Sequence, residues 1–131
     1  MKILLDTNFI LNCAKQKIDF VSLTNELFDE EIEWVIPLEV EKELELISKR
    51  KGEKTEDKKS AEISLEITKD FDKIVLIGDN SIENVDTGIV EYAKQNKGIV
   101  VATLDKILKE KLQKYPVKIL TIRNLKSLEI I

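Results

Sequence analysis

Short apolar runs alternate along the chain with segments whose apolar residues recur at helical spacing, and this alternation constrains the fold more than any other feature. Most of the runs are continuously apolar, as expected for strands that are buried on both faces of a sheet. Each run covers only five or six residues. The predicted strands are Lys2–Asp6, Ile32–Ile36, Lys73–Gly78, Ile99–Thr103 and Val117–Ile122.

Amphipathic segments fill the intervals between these strands. The predicted helices cover Asn8–Lys15, Val21–Asp29, Leu38–Lys49, Lys59–Lys69, Val85–Gln95 and Lys106–Lys114. Strands that alternate with helices predict an α/β fold, a parallel sheet with helices on both faces and sites beyond the carboxyl ends of its strands. The polar stretch 49–60 is interpreted as a solvated loop within a single domain, residues 1–131, because the chain on either side is too short to fold alone.

The residue types that the chain lacks exclude several kinds of site. It contains one cysteine, Cys13, and no histidine, which excludes an internal disulfide, a zinc site and catalysis by histidine. No apolar run approaches the roughly 20 residues of a membrane span and the N-terminus lacks a signal-peptide pattern, so we expect a cytoplasmic protein. The net charge of −4 gives no general attraction to nucleic acid, which would need a local basic patch.

Two of the predicted strands lead into an aspartate. Asp6 ends the first strand, and Asp105 follows the fourth strand by two residues. Each aspartate also precedes a predicted helix, where it is a preferred N-cap and its negative charge is favourable. Capping does not exclude a second role, so both interpretations stay open at this point.

Helical geometry points to two further acids. Asp86 shares the apolar stripe of its helix at i, i+3, i+4 and i+7 spacing, so it should meet the sheet from the first helical turn. Glu43 falls between Leu46 and Ile47 on the helical wheel, inside an apolar arc, whereas Glu39 lies nearer the edge of that arc. An acid inside an apolar arc is costly unless something neutralises it.

Converging acids need a counter-charge, because several carboxylates together repel one another or become protonated. The two arginines, Arg50 and Arg123, lie outside these segments. A divalent cation with oxygen ligands would neutralise the acids, and the lack of histidine indicates a hard ion, Mg²⁺ or Mn²⁺. Such an ion favours phosphodiester hydrolysis by a metal-activated water. The alternative is that some of the acids are only caps or surface groups.

The segments around these four acids resemble the motifs of the PIN domain (PilT N-terminus) nuclease family. They are LLDTNFIL with Asp6, VIPLEVEKEL with Glu43, NVDTGIVEYA with Asp86 and IVVATLDKIL with Asp105, in the family's order and over nearly the whole chain. Within this family the chain resembles archaeal-type and ribosomal-RNA-processing PIN proteins. The resemblance implies a three-layer α/β/α Rossmann-like fold with a central parallel sheet of four to five strands. It also implies cleavage of RNA that depends on Mg²⁺ or Mn²⁺.

The same resemblance implies roles for particular residues and partners. The catalytic and metal-binding acids would be Asp6, Glu43, Asp86 and Asp105. Asn8 and Thr103 would support them through polar contacts, and RNA would be the substrate. Relatives often form homodimers or have a protein regulator such as an antitoxin, so both are expected partner types. Two positions depart from the family pattern, since Leu104 replaces a common asparagine and Thr87 replaces a second aspartate found in many relatives.

Three functional classes stay open on the sequence alone. The first is a metal-dependent endoribonuclease. The second is a non-catalytic PIN-fold module that binds RNA or protein, in which the acids bind metal weakly or not at all. The third is a Rossmann-type phosphatase with Asp6 as nucleophile, but that chemistry usually needs a second acid two residues later, where this chain has Asn8.

Basic and aromatic residues supply further hypotheses. The helix after Asp105 carries lysines that would guide a phosphate chain, although an ordinary solvated face explains them equally well: Lys106, Lys109, Lys111 and Lys114. Acids dilute the lysines of the 49–60 stretch, which favours a solvated loop there. Phe9 and Cys13 are expected in the core, Tyr92 is a candidate for base stacking, and Asp79 is expected to be a turn residue rather than a fifth ligand.

Overall fold

The predicted alternation of strands and helices is present in the computed structural model, which describes residues 1–50, 52, 55–76, 85–124 and 126–131. The elements in these ranges are β1 (Lys2–Leu5), α1 (Thr7–Gln16), α2 (Phe20–Leu27), β2 (Glu33–Pro37), α3 (Leu38–Lys49), α4 (Thr55–Thr68), β3 (Asp72–Ile74), α5 (Val85–Gln95), β4 (Val100–Ala102), α6 (Lys106–Leu112), β5 (Lys118–Arg123) and β6 (Ser127–Ile130). The end of the predicted third strand, residues 77–78, lies outside the described residues.

The strands form one sheet in the order β3-β2-β1-β4-β5-β6. The first five are parallel to their neighbours, and β6 pairs antiparallel with β5. From β1 the chain builds outward to β2 and β3 on one side, then returns to place β4 on the other side of β1. The order therefore reverses between β1 and β4, and in such sheets this reversal leaves a crevice at the carboxyl ends of the two strands.

Helices cover both faces of the sheet, which explains why the strands are continuously apolar. Along β1, Ile3 and Leu5 join a core cluster under α1 to α4, whereas Leu4 joins a second cluster under α5 and α6. All three side chains are fully buried. Because successive residues of a strand point to opposite faces, only an apolar run can serve two cores at once.

An aromatic series crosses the first core cluster. The ring centroids of Phe9 and Phe20 are 5.8 Å apart, those of Phe20 and Trp34 are 5.1 Å apart, and both pairs meet edge to face. Trp34 stacks on Phe71 at 5.9 Å. These contacts join α1, α2, β2 and the residue before β3, so aromatic packing connects the elements on this side of the sheet.

Four features differ from the sequence-based expectations. The third strand, predicted to cover Lys73–Gly78, ends at Ile74, so the described residues 75 and 76 lie outside it. The prediction ended with the fifth strand and missed β6, because its short half-buried segment lacks a continuous apolar run. α4 begins at Thr55, inside the stretch expected to be a loop. Leu46 is 52% exposed, so the apolar arc assigned to α3 was wrong at that position. No helix in the described ranges has the length and apolar character needed to cross a membrane.

Replacing Phe20 by alanine tests the aromatic core. Phe20 is only 2% exposed and contacts two rings, so Phe20→Ala should lower the free energy of unfolding by about 3–5 kcal/mol. Urea denaturation followed by circular dichroism measures this change. Leu46→Ala is the control, because an exposed side chain should contribute less than about 0.5 kcal/mol. Equal losses in the two variants would contradict this packing.

Candidate active site

Asp6 stands at the carboxyl end of the central strand, at the reversal between β1 and β4. Its backbone N–H donates to the carbonyl of Ala102 at 3.0 Å, which extends the β1–β4 ladder by one residue. Its side chain then caps α1, since Oδ1 accepts a hydrogen bond from the Thr7 N–H at 2.9 Å. The other oxygen, Oδ2, accepts from the Thr103 hydroxyl at 2.7 Å. Asp6 is only 7% exposed. Its bonds to Ala102 and Thr103 fix the carboxylate relative to both β1 and β4.

Thr103 joins Asp6 to the second strand-end acid. Its N–H donates to Leu120 on β5 at 3.1 Å, so β4 is still held in the sheet at this residue. Its Oγ1 donates to Asp6 and accepts from the N–H of Asp105 at 3.1 Å. Asp105 in turn caps α6, where Oδ1 accepts from the N–H groups of Ile107 and Leu108 at 2.9 and 3.1 Å. The expected capping role of both acids is confirmed, and it leaves lone pairs on each carboxylate for another partner.

Asp86 approaches the same edge from α5. It lies in the first turn of that helix, as its position on the apolar stripe predicts. Partial burial raises the pKa of Asp86, and the negative charge of Asp105 raises it further, whereas Lys111 on α6 lowers it. The three aspartates therefore interact through space, and Lys111 is a cation within electrostatic reach of Asp86.

Glu43 reaches the cluster from the other side of the sheet through a threonine. It is half-buried on α3, and its Oε2 accepts a hydrogen bond from the Thr7 hydroxyl at 2.8 Å. Thr7 follows Asp6 directly and donates its N–H to that carboxylate. Thr7 therefore holds both acids, although Glu43 lies 36 residues after it in the chain.

Burial dominates the electrostatics of Asp6. It raises the pKa of Asp6 from its usual 3.8 to about 6. The hydrogen bonds from Thr103 and from the Thr7 N–H lower the pKa, and repulsion from Asp86 and Asp105 raises it again. The net result is a carboxylate that loses its proton with difficulty unless positive charge comes close.

The four acids have the donor atoms that a divalent cation prefers, but their side chains do not stand close enough together to hold one without moving. The four acids offer only oxygen ligands, the kind that hard cations prefer. The ion pairs found in the described residues involve none of the four. In that same part of the chain, however, no three acidic or cysteine side chains stand close enough to hold an ion without moving. As far as the described residues go, binding at these acids would thus require side-chain rotation.

The other residues singled out from the sequence occupy varied positions. Asn8 has an exposed side chain and contributes its backbone carbonyl to a bond with Asn12 at 2.8 Å, so its supporting role stays a prediction. Thr87 is exposed beside Asp86, and Leu104 packs against the first core cluster. Phe9 and Cys13 are buried, as predicted. Asp79 lies outside the described residues.

Sequence reasoning missed two polar residues at this edge. Thr7 could have been found, because a hydroxyl directly after a capping aspartate is well placed to reach another element. Glu39 could not, since the helical wheel put it at the edge of the apolar arc. The structure buries Glu39 completely, and its Oε1 accepts a hydrogen bond from the N–H of Leu76 at 3.2 Å. This donor lies just after β3, 37 residues away in the chain.

The sheet order, the two helical layers and the acids at the strand-order reversal define an α/β protein of Rossmann-like architecture. Residues 3–125 match the family model described as a PIN like domain. The chain is 34% identical over 129 residues to Ribonuclease VapC4 of Methanocaldococcus jannaschii, covering 98% of this chain and 95% of that protein. It therefore belongs to the PIN-like domain family, as its motifs predict.

A solved structure supports the fold independently. The structure of the PIN domain endonuclease Utp24 matches this fold with a TM-score of 0.79 at 30% sequence identity, covering 98% of this chain and 90% of that chain. The predicted three-layer α/β/α fold is confirmed. In the described residues the sheet has five parallel strands, to which the antiparallel β6 adds a sixth.

The raised pKa of Asp6 predicts a specific pH dependence of stability. Because the pKa is about 6 in the folded protein and about 3.8 when unfolded, the folded state is favoured at low pH and loses that advantage as the pH rises through 6. Between pH 4 and pH 7 the free energy of unfolding of wild type should fall by about 2 kcal/mol relative to that of Asp6→Asn. Urea denaturation in EDTA measures this difference.

The control for this prediction is Asp72→Asn, which removes an exposed acid from β3. Its free energy of unfolding should follow that of wild type across the same pH range. A constant difference between wild type and Asp6→Asn at all pH values would contradict the assigned burial of the Asp6 charge.

Proposed function

We propose that this protein is an endoribonuclease that hydrolyses RNA phosphodiester bonds and depends on Mg²⁺ or Mn²⁺. The observation that carries the proposal is the convergence of Asp6, Asp86 and Asp105, whose charges repel one another at the reversal point of the sheet. An uncompensated acidic cluster is suited to bind a hard cation. The relatives support the reaction class, since one is named a ribonuclease and another an endonuclease.

The ligands would be Asp6, Glu43, Asp86 and Asp105. An ion bound to them supplies neutralising charge and a water of lowered pKa for attack on phosphorus. The remaining tasks belong to the chain itself. The Thr103 hydroxyl orients Asp6, and helix capping holds Asp105 in one rotamer. Thr7 keeps Glu43 facing the cluster, and Lys111 adds a positive charge where a phosphate would approach.

The proposal includes RNA as the substrate and a cytoplasmic location. Pairing of two copies and control by a protein regulator stay predictions from the family resemblance. One observation favours a second candidate, a non-catalytic module that binds RNA or protein. The acids of the described residues need to move before three of them could hold an ion, and a module with no bound metal would have no need of that movement.

Metal titration separates the two candidates. Isothermal calorimetry with Mn²⁺ should show binding to wild type and no binding to the Asp6→Asn/Asp105→Asn double variant. Asparagine is also a good N-cap, so the helices should keep their starts in this variant. Asp29→Asn/Asp72→Asn is the matched control, because it removes two exposed acids and should bind like wild type. Failure of wild type to bind Mn²⁺ would favour the non-catalytic module.

Cleavage of a labelled single-stranded RNA in Mn²⁺ tests the acids individually. Asp6→Asn should reduce the rate to background while the protein stays folded, as judged by circular dichroism. Glu43→Gln should lower the rate at least about 100-fold, because it weakens a ligand that Thr7 orients. Glu45→Gln changes an exposed acid on the same helix and should leave the rate unchanged. Full activity of Asp6→Asn would refute the assignment.

A further inference from the structure

We propose that the groove between α5 and α6 carries single-stranded RNA to the acidic cluster, an inference that rests on the proposed ribonuclease function. The two helices start at the same edge of the sheet, directly after Asp105 and beside Asp86. They run back side by side across one face, over the second core cluster. A chain lying between them would therefore lead away from the acids along the protein surface.

The groove consists of two hollows that share one residue. The hollow nearer the acids, here called the upper hollow, has a volume of about 250 Å³. Thr87 and Val90 of α5 line one side of it, and Lys111 of α6 and Lys114 just beyond that helix line the other. The lower hollow, of about 550 Å³, includes Lys94, Lys97 and Pro116. Tyr115 lines both hollows, so they lie next to each other on the surface. Together they are here called the α5–α6 groove, which is lined in the upper part by Thr87, Val90, Glu91, Lys111 and Lys114, and in the lower part by Ala93, Lys94, Lys97, Gly98, Pro116 and Val117.

The upper end of the α5–α6 groove reaches the acids. Thr87 follows Asp86 in the chain, and Lys111 is close enough to act on the charge of Asp86. From Asp86 to Lys94 the helix rises about 12 Å, which is the length available for contacts beyond the cleavage point. A phosphate held by Lys111 would thus lie next to the acidic cluster, and its neighbours would lie further along the groove.

The charge of the groove is opposite to that of the protein as a whole. Four lysines line it against a single glutamate, Glu91, whereas the net charge of the chain is −4. Glu91 is paired with Lys94 at 3.3 Å, which leaves Lys97, Lys111 and Lys114 facing the groove without that neutralisation. Lysines arranged along a path neutralise successive phosphates and attract a nucleic acid without regard to its sequence.

An aromatic ring at the centre of the groove favours a single strand over a duplex. Tyr115 is 37% exposed, and the Nζ atom of Lys94 lies 5.3 Å from its ring centroid. Val90 and Val117 provide apolar surface on either side of it. Proteins that bind single-stranded nucleic acid combine a basic track with aromatic rings on which bases stack, whereas the bases of a duplex already stack on each other.

Fluorescence anisotropy with a labelled single-stranded RNA of about 12 nucleotides, in EDTA to prevent cleavage, tests the groove. Lys111→Glu/Lys114→Glu should weaken binding at least about tenfold and make the slope of log K against log salt shallower by about 1.4. Lys58→Glu/Lys59→Glu makes the same charge change on α4, over the opposite face of the sheet, and should bind like wild type. Equal weakening in the two double variants would overturn the inference, because it would show a response to net charge alone.

Tyr115 provides a test that does not change the charge. Tyr115→Ala should lower RNA affinity at least about fivefold, and Tyr115→Phe should keep wild-type affinity because it retains the ring that stacks. In cleavage assays with Mn²⁺, Tyr115→Ala should raise KM and leave kcat unchanged. Wild-type affinity in Tyr115→Ala would overturn the inference while leaving the ribonuclease proposal intact.

Two competitors and the wild-type protein complete the test. A decaglutamate peptide or a duplex of the same RNA sequence should compete poorly with the labelled strand. Competition by either at the same concentration as unlabelled single strand would overturn the assignment of the groove to single-stranded RNA. If wild type neither binds nor cleaves RNA, the proposed function itself fails. If wild type cleaves RNA and every groove variant cleaves it equally well, only the assignment of the groove is overturned and the proposed function stands.

Discussion

The parallel pairing of β1 with β4 is the contact on which the rest of the site depends. It ends with the hydrogen bond from Asp6 N–H to Ala102, and one residue later the Thr103 hydroxyl bonds the Asp6 side chain. Because Leu4 and Val101 serve the second core and Ile3 and Val100 serve the first, a slip of one residue would turn every one of these side chains to the wrong face. The alternation of side chains between the two cores thus determines the register. The register in turn brings together Asp6 and Asp105, which are 99 residues apart in the sequence.

Threonines and helix starts hold these acids in place without neutralising them. Among the described residues, each hydrogen bond to the side chains of Asp6 and Asp105 comes from a neutral donor, a hydroxyl or a backbone N–H. Such donors fix the orientation of a carboxylate and favour its charged form, but they leave its net charge in place. In Asp6 the effect of burial outweighs them, so its pKa is about 6. The fold alone thus positions the acids, whereas in the proposed function a bound cation would neutralise them.

Much of the fold was predictable because it follows from local patterns. Short, mostly apolar runs identified the five parallel strands, and the acids at or just beyond the ends of two of these runs are Asp6 and Asp105. Features that depend on distant segments were not predictable in the same way. β6 is half-buried and takes its place from pairing with β5, and α4 extends into a charged stretch that resembled a loop. Glu39 is buried and accepts a hydrogen bond from Leu76, which lies after β3. Of the site, the identity of the acids could be predicted, but the linking role of Thr7 becomes visible only when α1 and α3 are placed together.

The buried charge of Asp6 also bears on how such a protein changes over evolutionary time. Most substitutions in a packed protein destabilise it, and selection removes only those that fall below the required stability. An uncharged polar residue at position 6 would relieve the cost of burial and repulsion while keeping the cap and the threonine contact within reach. Mutational drift that acts on stability alone would therefore favour loss of this acid. If Asp6 serves the proposed cleavage, a non-cleaving descendant would be easier to keep folded than its active ancestor, and selection on activity would be needed to retain this acid.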